Sequence, residues 1–190
     1  MTAILVSSCG SDESYKEVSI GSQIWMAENL NVDKFRNGEP IPCSETNLEW
    51  MLAAEEGKPT WCYYNNDSAN GKKYGKLYNW YAVNDPRGLA PEGWHIPSLS
   101  EWTELTNFLG GIELAGIKMK EANGFSALPG GMQSYNDLSY SIGIIGDWWS
   151  ATQSDKQRAW SINMNYIRGE VILNDIAAKG SGFSVRCIRD

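Results

Sequence analysis

The sequence lacks the residues that several large classes of protein require. Its 190 residues include one histidine, His95, so a site built on several imidazoles is excluded. The 16 basic residues are outnumbered by 23 acidic ones, for a net charge of −7. Because a phosphate backbone binds to a basic surface, we expect no nucleic-acid partner. No apolar run approaches the length of a bilayer span, and no repeat or linker-like stretch divides the chain.

Aromatic residues are abundant instead. The chain has nine Trp, nine Tyr and four Phe, and 42% of its residues are hydrophobic against 21% charged. This balance predicts a folded domain with a good core rather than a disordered chain. A surplus of Trp and Tyr is typical of recognition surfaces and β-rich folds.

The N-terminus carries a targeting pattern. Val6-Ser7-Ser8-Cys9 resembles the lipobox of bacterial lipoproteins, and the acidic stretch 10–14 resembles a surface-export tag of Bacteroidetes. We therefore expect Cys9 to be lipidated and to anchor the protein at the outer membrane or cell surface. Only eight residues precede Cys9, so we expect the recorded start to lie inside a longer signal. Residues 1–17 are interpreted as signal remnant and tether, and residues 18–190 as the domain. The alternative is a frayed N-terminus with an accidental cysteine.

Three further cysteines would then lie in an oxidising compartment. Cys43 and Cys62 bracket a loop, and a disulfide between them would staple it; two free thiols are the alternative. Cys187 alternates with Phe183 and Val185, which favours a buried free thiol.

Two capping boxes predict helices in the first half of the chain. Thr46 and Glu49 open one that runs to Glu56, and Ser98 and Glu101 open another that ends before Gly110. We also predict a helix over residues 74–83 and a β-hairpin over residues 18–24.

The second half reads as short antiparallel strands joined by polar loops, over 125–128, 148–152, 159–164, 171–173 and 183–188. Helices followed by strands make an α+β fold. Trp148 and Trp149 are adjacent and should face opposite sides of a strand, one in the core and one at a surface. The predicted core comprises Trp102, Leu105, Phe108, Trp160, Ile162, Phe183 and Val185.

Six ordered strings carry a family resemblance: IGSQIWMAENLN (20–31), WCYYNND (61–67), YGKLYNWYAV (74–83), LAPEGWHIPSLSEW (89–102), WWSAT (148–152) and GFSVRCIRD (182–190). Together they resemble the Fibrobacter succinogenes major paralogous domain, which is related to the C-type lectin-like and formylglycine-generating-enzyme folds. The resemblance implies a compact α+β unit with two main helices, a small twisted antiparallel sheet and a loop-rich recognition face. Some relatives are hypervariable targets of diversity-generating retroelements, with varied positions between WWSAT and GFSVRC.

The sequence offers no recognisable catalytic constellation. It has no phosphate-binding loop and no nucleophile elbow. The cysteine pair of the formylglycine-generating enzyme has no counterpart, because Cys187 is the only cysteine after Cys62. We expect no enzyme activity, no cofactor and a structural role for His95. A hydrolase using a carboxylate pair stays an alternative. Oxygens of Asn65, Asn66 and Asp67 could hold Ca²⁺, but without spaced carboxylates a simple turn is favoured.

Polar loops joining the C-terminal strands are the predicted binding surface. They combine hydrogen-bonding groups with Tyr and Arg, residues common in binding hot spots. The expected ligand is a glycan or a surface protein. One alternative is an architectural subunit of a larger envelope complex, and another is that the loops are only solvated. The predicted ligand-binding residues are Gln153, Asp155, Lys156, Arg158, Tyr166, Arg168, Glu170, Asn174 and Asp175.

Overall fold

The computed structural model describes residues 15–121, 124–136 and 139–190 and has a mixed α+β fold. No helix within these ranges is long and apolar enough to cross a membrane. The helices are α1 (Asn47–Glu55), α2 (Ser68–Tyr74), α3 (Trp80–Val83), α4 (Leu99–Phe108) and α5 (Ala115–Met119). The strands are β1 (Glu17–Ile20), β2 (Gln23–Met26), β3 (Trp61–Cys62), β4 (Leu77–Tyr78), β5 (Trp94–His95), β6 (Met132–Gln133), β7 (Ser139–Tyr140), β8 (Ile145–Gln153), β9 (Arg158–Asn165), β10 (Val171–Ala178) and β11 (Ile188–Arg189).

A four-stranded sheet ties the two ends of the domain together. Its strand order is β1-β2-β11-β5, and β1 and β2 form the predicted hairpin. Ile188 of β11 lies opposite Trp25 on one side and His95 on the other. The last residues of the chain are therefore held between the N-terminal hairpin and the segment that leads into α4.

The long sheet has three antiparallel strands in the order β10-β9-β8. Its register pairs Trp148 with Ile162 and Leu173 with Ile162 from the other side. Irregularities interrupt the pairing between Trp149 and Gln153 and between Asn174 and Ala177. Because the strands are antiparallel, the β8–β9 loop and the β9–β10 loop lie at opposite ends of this sheet.

Both faces of the long sheet are covered. Trp148 and Trp149 point to opposite faces as predicted, yet neither has any accessible surface. Trp148 packs in a cluster with Trp102 and Phe125, and Trp149 packs in a second cluster with Phe183. The expectation that one of these indoles lines a surface is therefore wrong, because each face of the sheet is covered by a separate hydrophobic cluster.

The two capped helices are confirmed, with both reciprocal capping bonds formed in α1 and in α4. Most of the predicted core is also buried, but two residues are corrections. Phe108 is 62% exposed, because it lies at the flank of the apolar stripe of α4 and covers the hairpin turn at Gly21. Trp160 is only half-buried.

The predicted helix over residues 74–83 is wrong. Gly75 has a positive φ of 78° and ends α2, and residues 77–78 pair with β3 instead. The side-chain oxygen of Asn79 then accepts the backbone N–H of Ala82, which starts the short α3. Two caps thus divide a segment whose apolar spacing resembles one helix.

The C-terminal segment is extended and entirely buried from Ser181 to Ile188, but only its last part is a strand. Phe183 and Ser184 make isolated bridges to Tyr78 and Trp148. No strand forms over 125–128 either. Phe125 and Ala127 are nevertheless buried there, so the apolar pattern predicted burial correctly and the strand wrongly.

Candidate binding groove and the other predicted sites

The antiparallel pairing separates the nine predicted ligand-binding residues. A strand rises about 3.3 Å per residue, so the eight residues of β9 hold the loops at its two ends roughly 25 Å apart. The end of the sheet at the β8–β9 loop, here called the groove end, carries Gln153, Asp155, Lys156 and Arg158. The opposite end, here called the lysine end, carries Tyr166, Arg168 and Glu170. Asn174 and Asp175 lie between the two ends in the irregularity of β10, where Asn174 pairs with Ser161.

A groove of about 620 Å³ opens at the groove end. Its walls come from α1, α3, the segment after β6, the β8–β9 loop and the end of β10. The lining residues are Met51, Ala54, Glu55, Tyr81, Tyr135, Asn136, Gln157, Arg158, Ile176, Ala178, Lys179 and Gly180.

The lining of this groove combines aromatic rings with side-chain amides. Tyr135 is 48% exposed and Tyr81 is half-buried, while Asn136 and Gln157 add side-chain amides. Arg158 is the predicted residue that lines the groove directly. Neither tyrosine is recognisable as a binding residue from the sequence: Tyr81 has the spacing of a core residue in the helix that does not form, and Tyr135 lies in a loop without periodicity.

Lys179 fastens the β8–β9 loop beneath the groove. Its Nζ donates to Oε1 of Gln153 at 2.9 Å and to the carbonyl of Lys156 at 3.1 Å. It also lies 4.5 Å from the centroid of the Trp80 ring. The residue is buried, and burial lowers the pKa of its ammonium group. Lys179 is thus a positioning residue of the site, and only its loop location in the sequence hinted at it.

Two predicted ligand residues form local turn bonds and do not line the groove. Oδ1 of Asp155 accepts the backbone N–H groups of Gln157 and Arg158, at 2.7 and 2.8 Å. Oδ1 of Asn174 accepts the N–H of Ile176 at 3.1 Å, within the irregularity of β10. These are local bonds typical of Asp and Asn in turns.

Gly180 allows the walls of the groove to approach each other. A Cβ at this position would lie 2.7 Å from Cβ of Ala54 and 3.1 Å from Cβ of Tyr135. The indole N–H of Trp50 donates to the Gly180 carbonyl at 2.9 Å, which fixes α1 against the end of β10. The groove is therefore built on buried contacts between rigid elements.

At the lysine end, the β9–β10 loop is held by Lys120. Its Nζ donates to the carbonyls of Tyr166, at 2.8 Å, and of Arg168. Arg168 and Glu170 form an exposed ion pair with each other, 3.0 Å between Nη1 and Oε1. Such exposed pairs contribute little stability.

His95 is a hydrogen-bonded residue, as predicted. Its Nδ1 lies 2.8 Å from Oδ1 of Asp190 and its Nε2 lies 2.7 Å from Oε1 of Glu101. Partial burial disfavours the charged ring, but the two carboxylates outweigh it and raise the pKa of His95. The imidazole joins the C-terminal residue to the first turn of α4.

Of the two alternatives left open for Cys43 and Cys62, the structure has free thiols and no disulfide. Cys43 lies opposite Trp61 in a parallel bridge, so Cys62 is its diagonal neighbour. Successive residues of a strand point to opposite sides. Accordingly Cys62 is buried with Trp50 and Leu77 while Cys43 is exposed. Cys187 is a buried free thiol as predicted, and burial raises its pKa to about 12.

The segment Tyr63 to Asp67 has turn chemistry. Asn65 and Asn66 both adopt positive φ, a conformation that asparagine tolerates. Oδ1 of Asp67 caps α2 by accepting the N–H of Ala69 at 2.9 Å. Within the ranges that the structure covers, no three His, Cys, Asp or Glu side chains are grouped as metal ligands.

The family assignment rests on the length of the match. The model of the Fibrobacter succinogenes major domain matches residues 18–189, which is nearly the whole chain. The chain belongs to this family. Cys9, the predicted lipidation site, precedes the matched region and lies outside the described residues. No curated protein and no solved structure matches the chain.

Proposed function

We propose that this domain is a non-catalytic surface recognition module with a C-type lectin-like scaffold, and that it binds a glycan in the groove lined by Tyr81 and Tyr135. The observation that carries the proposal is that two tyrosines line the same groove as the side-chain amides of Asn136 and Gln157. Sugar rings present apolar C–H faces and hydroxyl edges, so they need an aromatic platform together with hydrogen-bonding groups.

The shape of the groove supports a glycan over a protein partner. A specific protein interface buries about 800 Å² on each partner and is broad. A groove of about 620 Å³ instead has the size of a small-ligand site. The β8–β9 loop that carries Gln157 is held by Lys179, and α1 is held against the end of β10 at Gly180, so little ordering of the backbone is required on binding.

The local bonds of the carboxylates support a non-catalytic role. The acidic groups nearest His95 are Glu101 and Asp190, and both are bonded to its ring. Glu101 also accepts the hydroxyl and the backbone N–H of Ser98, both at 2.7 Å. These groups hold two elements together rather than face each other across a substrate-sized gap.

The anchoring part of the proposal rests on the sequence. The lipobox-like tetrapeptide ending at Cys9, followed by an acidic tag, supports a lipoprotein of the outer membrane whose domain lies outside the cell. Mass spectrometry of the native protein should then find an acylated Cys9. A soluble native protein that retains Met1 would contradict the anchor.

The binding test is a glycan array on the purified domain, followed by calorimetry with the best glycan. Tyr135→Ala should weaken binding by about tenfold, since one buried contact in a small site contributes about 1.4 kcal/mol. Tyr140→Ala is the matched control, because Tyr140 is 46% exposed and lies outside the groove. Equal losses in the two variants, or none with Tyr135→Ala, would contradict the groove.

A second candidate, an architectural subunit of an envelope complex, is favoured by apolar exposure at the lysine end. Ile167 is 87% exposed at the tip of the β9–β10 loop. Ile117, also exposed, would contact a Cβ placed on Gly169, so it adjoins the same loop. Exposed apolar clusters mark protein-binding surfaces. Ile167→Ser should then release the domain from a co-purifying complex while glycan binding at the groove is retained.

A further inference from the structure

A second cavity, of about 470 Å³, lies at the lysine end of the molecule. Its lining includes five basic side chains and one acidic side chain, in a chain whose net charge is −7. The acidic one, Glu28, is bonded to Lys16 at 2.7 Å. The basic residues are Lys16, Lys72, Lys73, Lys120 and Arg186.

These cations converge from separate parts of the chain. Lys16 precedes β1, Lys72 and Lys73 lie in the last turn of α2, and Lys120 follows α5. They are brought together by the fold rather than by a run of basic sequence. Like charges repel, so grouping them costs free energy unless an anion is bound among them.

The buried wall of the cavity is the guanidinium group of Arg186, which is 1% exposed. It donates to Oδ1 of Asn29, from Nε at 3.1 Å and Nη2 at 2.8 Å, and to the carbonyls of Met26 and Phe125. Among the described residues, no carboxylate forms an ion pair with it. Burial lowers the pKa of Arg186 to about 9, so the group is charged at neutral pH. The carbonyl of Ser126 accepts its remaining N–H at 3.5 Å, and the Glu28 carboxylate of the same cavity opposes the fall in its pKa. Arg186 therefore adds positive charge to the wall of the cavity but no free donor.

Two of the lysines that line the cavity lie over tyrosine rings. Nζ of Lys120 lies 5.4 Å from the ring centroid of Tyr166, and Nζ of Lys73 lies 4.8 Å from that of Tyr74. Lys120 is further fixed by the two loop carbonyls that it bonds. The predicted residue Tyr166 thus lines this cavity and not the groove.

We propose that this cavity is a binding site for a compact polyanion that carries sulfate or phosphate groups. Several separate ammonium groups fit a ligand with more than one tetrahedral oxyanion. The concave shape, with Arg186 at its buried wall, favours a molecule that enters the cavity over a flat membrane surface. The site is distinct from the glycan groove, since it lies at the other end of the long sheet.

The test is calorimetry of the full chain with sucrose octasulfate, inositol hexakisphosphate and inorganic sulfate. We expect at least one of the first two to bind, with an affinity that falls as salt rises. Comparing the affinities for sucrose octasulfate and inositol hexakisphosphate shows whether the site prefers sulfate or phosphate groups. Lys72→Gln/Lys73→Gln should weaken binding by about tenfold or more, as two charge-assisted contacts are lost. Both lysines are exposed, so the melting temperature should be unchanged.

The matched control is Lys34→Gln/Lys58→Gln, which removes the same charge at exposed positions outside the cavity. It should change the affinity by less than about twofold, since distant surface charges are screened. Equal weakening by both double variants would overturn the proposal. So would the absence of binding to every soluble probe, including the case in which only vesicles with anionic lipid retain the protein.

Discussion

The two ends of the long sheet differ in chemistry although the same three strands form both. At the groove end the basic residue Lys179 is buried and bonded within the protein, and tyrosines and amides face the solvent. At the lysine end the cations line a cavity. The difference comes from what packs beside each hairpin loop: α1 and the segment after β6 at one end, α2 and the region of α5 at the other. A shared sheet therefore fixes positions, and the flanking segments decide which ligand each position suits.

The largest expected effect tests whether the two ends belong to one cooperative unit. Phe183 packs on Trp149 with ring centroids 4.4 Å apart, while Trp102 packs in the other core. Phe183→Ala or Trp102→Ala should each lower the free energy of unfolding by about 3–5 kcal/mol. Urea unfolding monitored by amide signals at both ends should give one common midpoint in each variant. Loss of structure at one end alone would show that the ends fold separately.

The next largest change in stability is expected at a buried carboxylate on β8, where a substitution should stabilise the protein. Burial raises the pKa of Asp147 to about 6, against the bond that it accepts from Asn163 at 2.8 Å. Ionisation of Asp147 therefore lowers the stability of the folded protein. This loss is complete above about pH 6 and absent below the ordinary pKa of about 3.9. Asp147→Asn should therefore stabilise the protein by about 2–3 kcal/mol at pH 7.

That gain should vanish at pH 4, where thermal unfolding of the two proteins should coincide. Asp155→Asn is the control from the groove end, because Asp155 is exposed and an asparagine oxygen can accept the same loop N–H groups. Its stability should stay within about 0.5 kcal/mol of the original at both pH values. A gain from Asp147→Asn that persists at pH 4 would point to packing instead of charge.

Lys179→Met tests whether the groove depends on its buried lysine. The change removes two hydrogen bonds and a cation–π contact but keeps an apolar stem over Trp80. We expect a loss of about 1–2 kcal/mol in stability and faster amide exchange in the β8–β9 loop. Lys156→Met should change neither, since Lys156 contributes only its carbonyl. Unchanged exchange in Lys179→Met would remove its positioning role.

The smallest effect concerns His95, away from both ends. The pKa of His95 is raised in the folded protein. Its contribution to folding stability is therefore complete below the ordinary pKa of about 6.5, and it is lost as the pH rises through the pKa of the folded state. The ring is partly exposed, so we expect less than about 1 kcal/mol. His95→Gln should flatten this part of the stability profile. If stability depends on pH with the same slope in this variant, the pH dependence comes from another group.

Local signals predicted the local structure well. The reciprocal caps at Thr46 and Ser98 gave both main helices, and the turn at Gly21 gave the first hairpin. These signals wrongly predicted one helix over residues 74–83, because two helix caps interrupt a segment whose apolar spacing is that of a single helix. They left the state of Cys43 and Cys62 open, because a disulfide depends on side-chain direction and not on loop length.

The sequence by itself determined the family, the α+β class, the capped helices and the loops that would face outward, since these depend on short-range periodicity and on ordered motifs. Only the tertiary structure decided that the two predicted binding loops lie apart, because antiparallel pairing places consecutive loops at opposite ends of a sheet. It also brought Tyr81 and Tyr135 to one groove, and Lys16 and Lys120 to one cavity. Residues so far apart in the chain become neighbours only through packing, which no local pattern records.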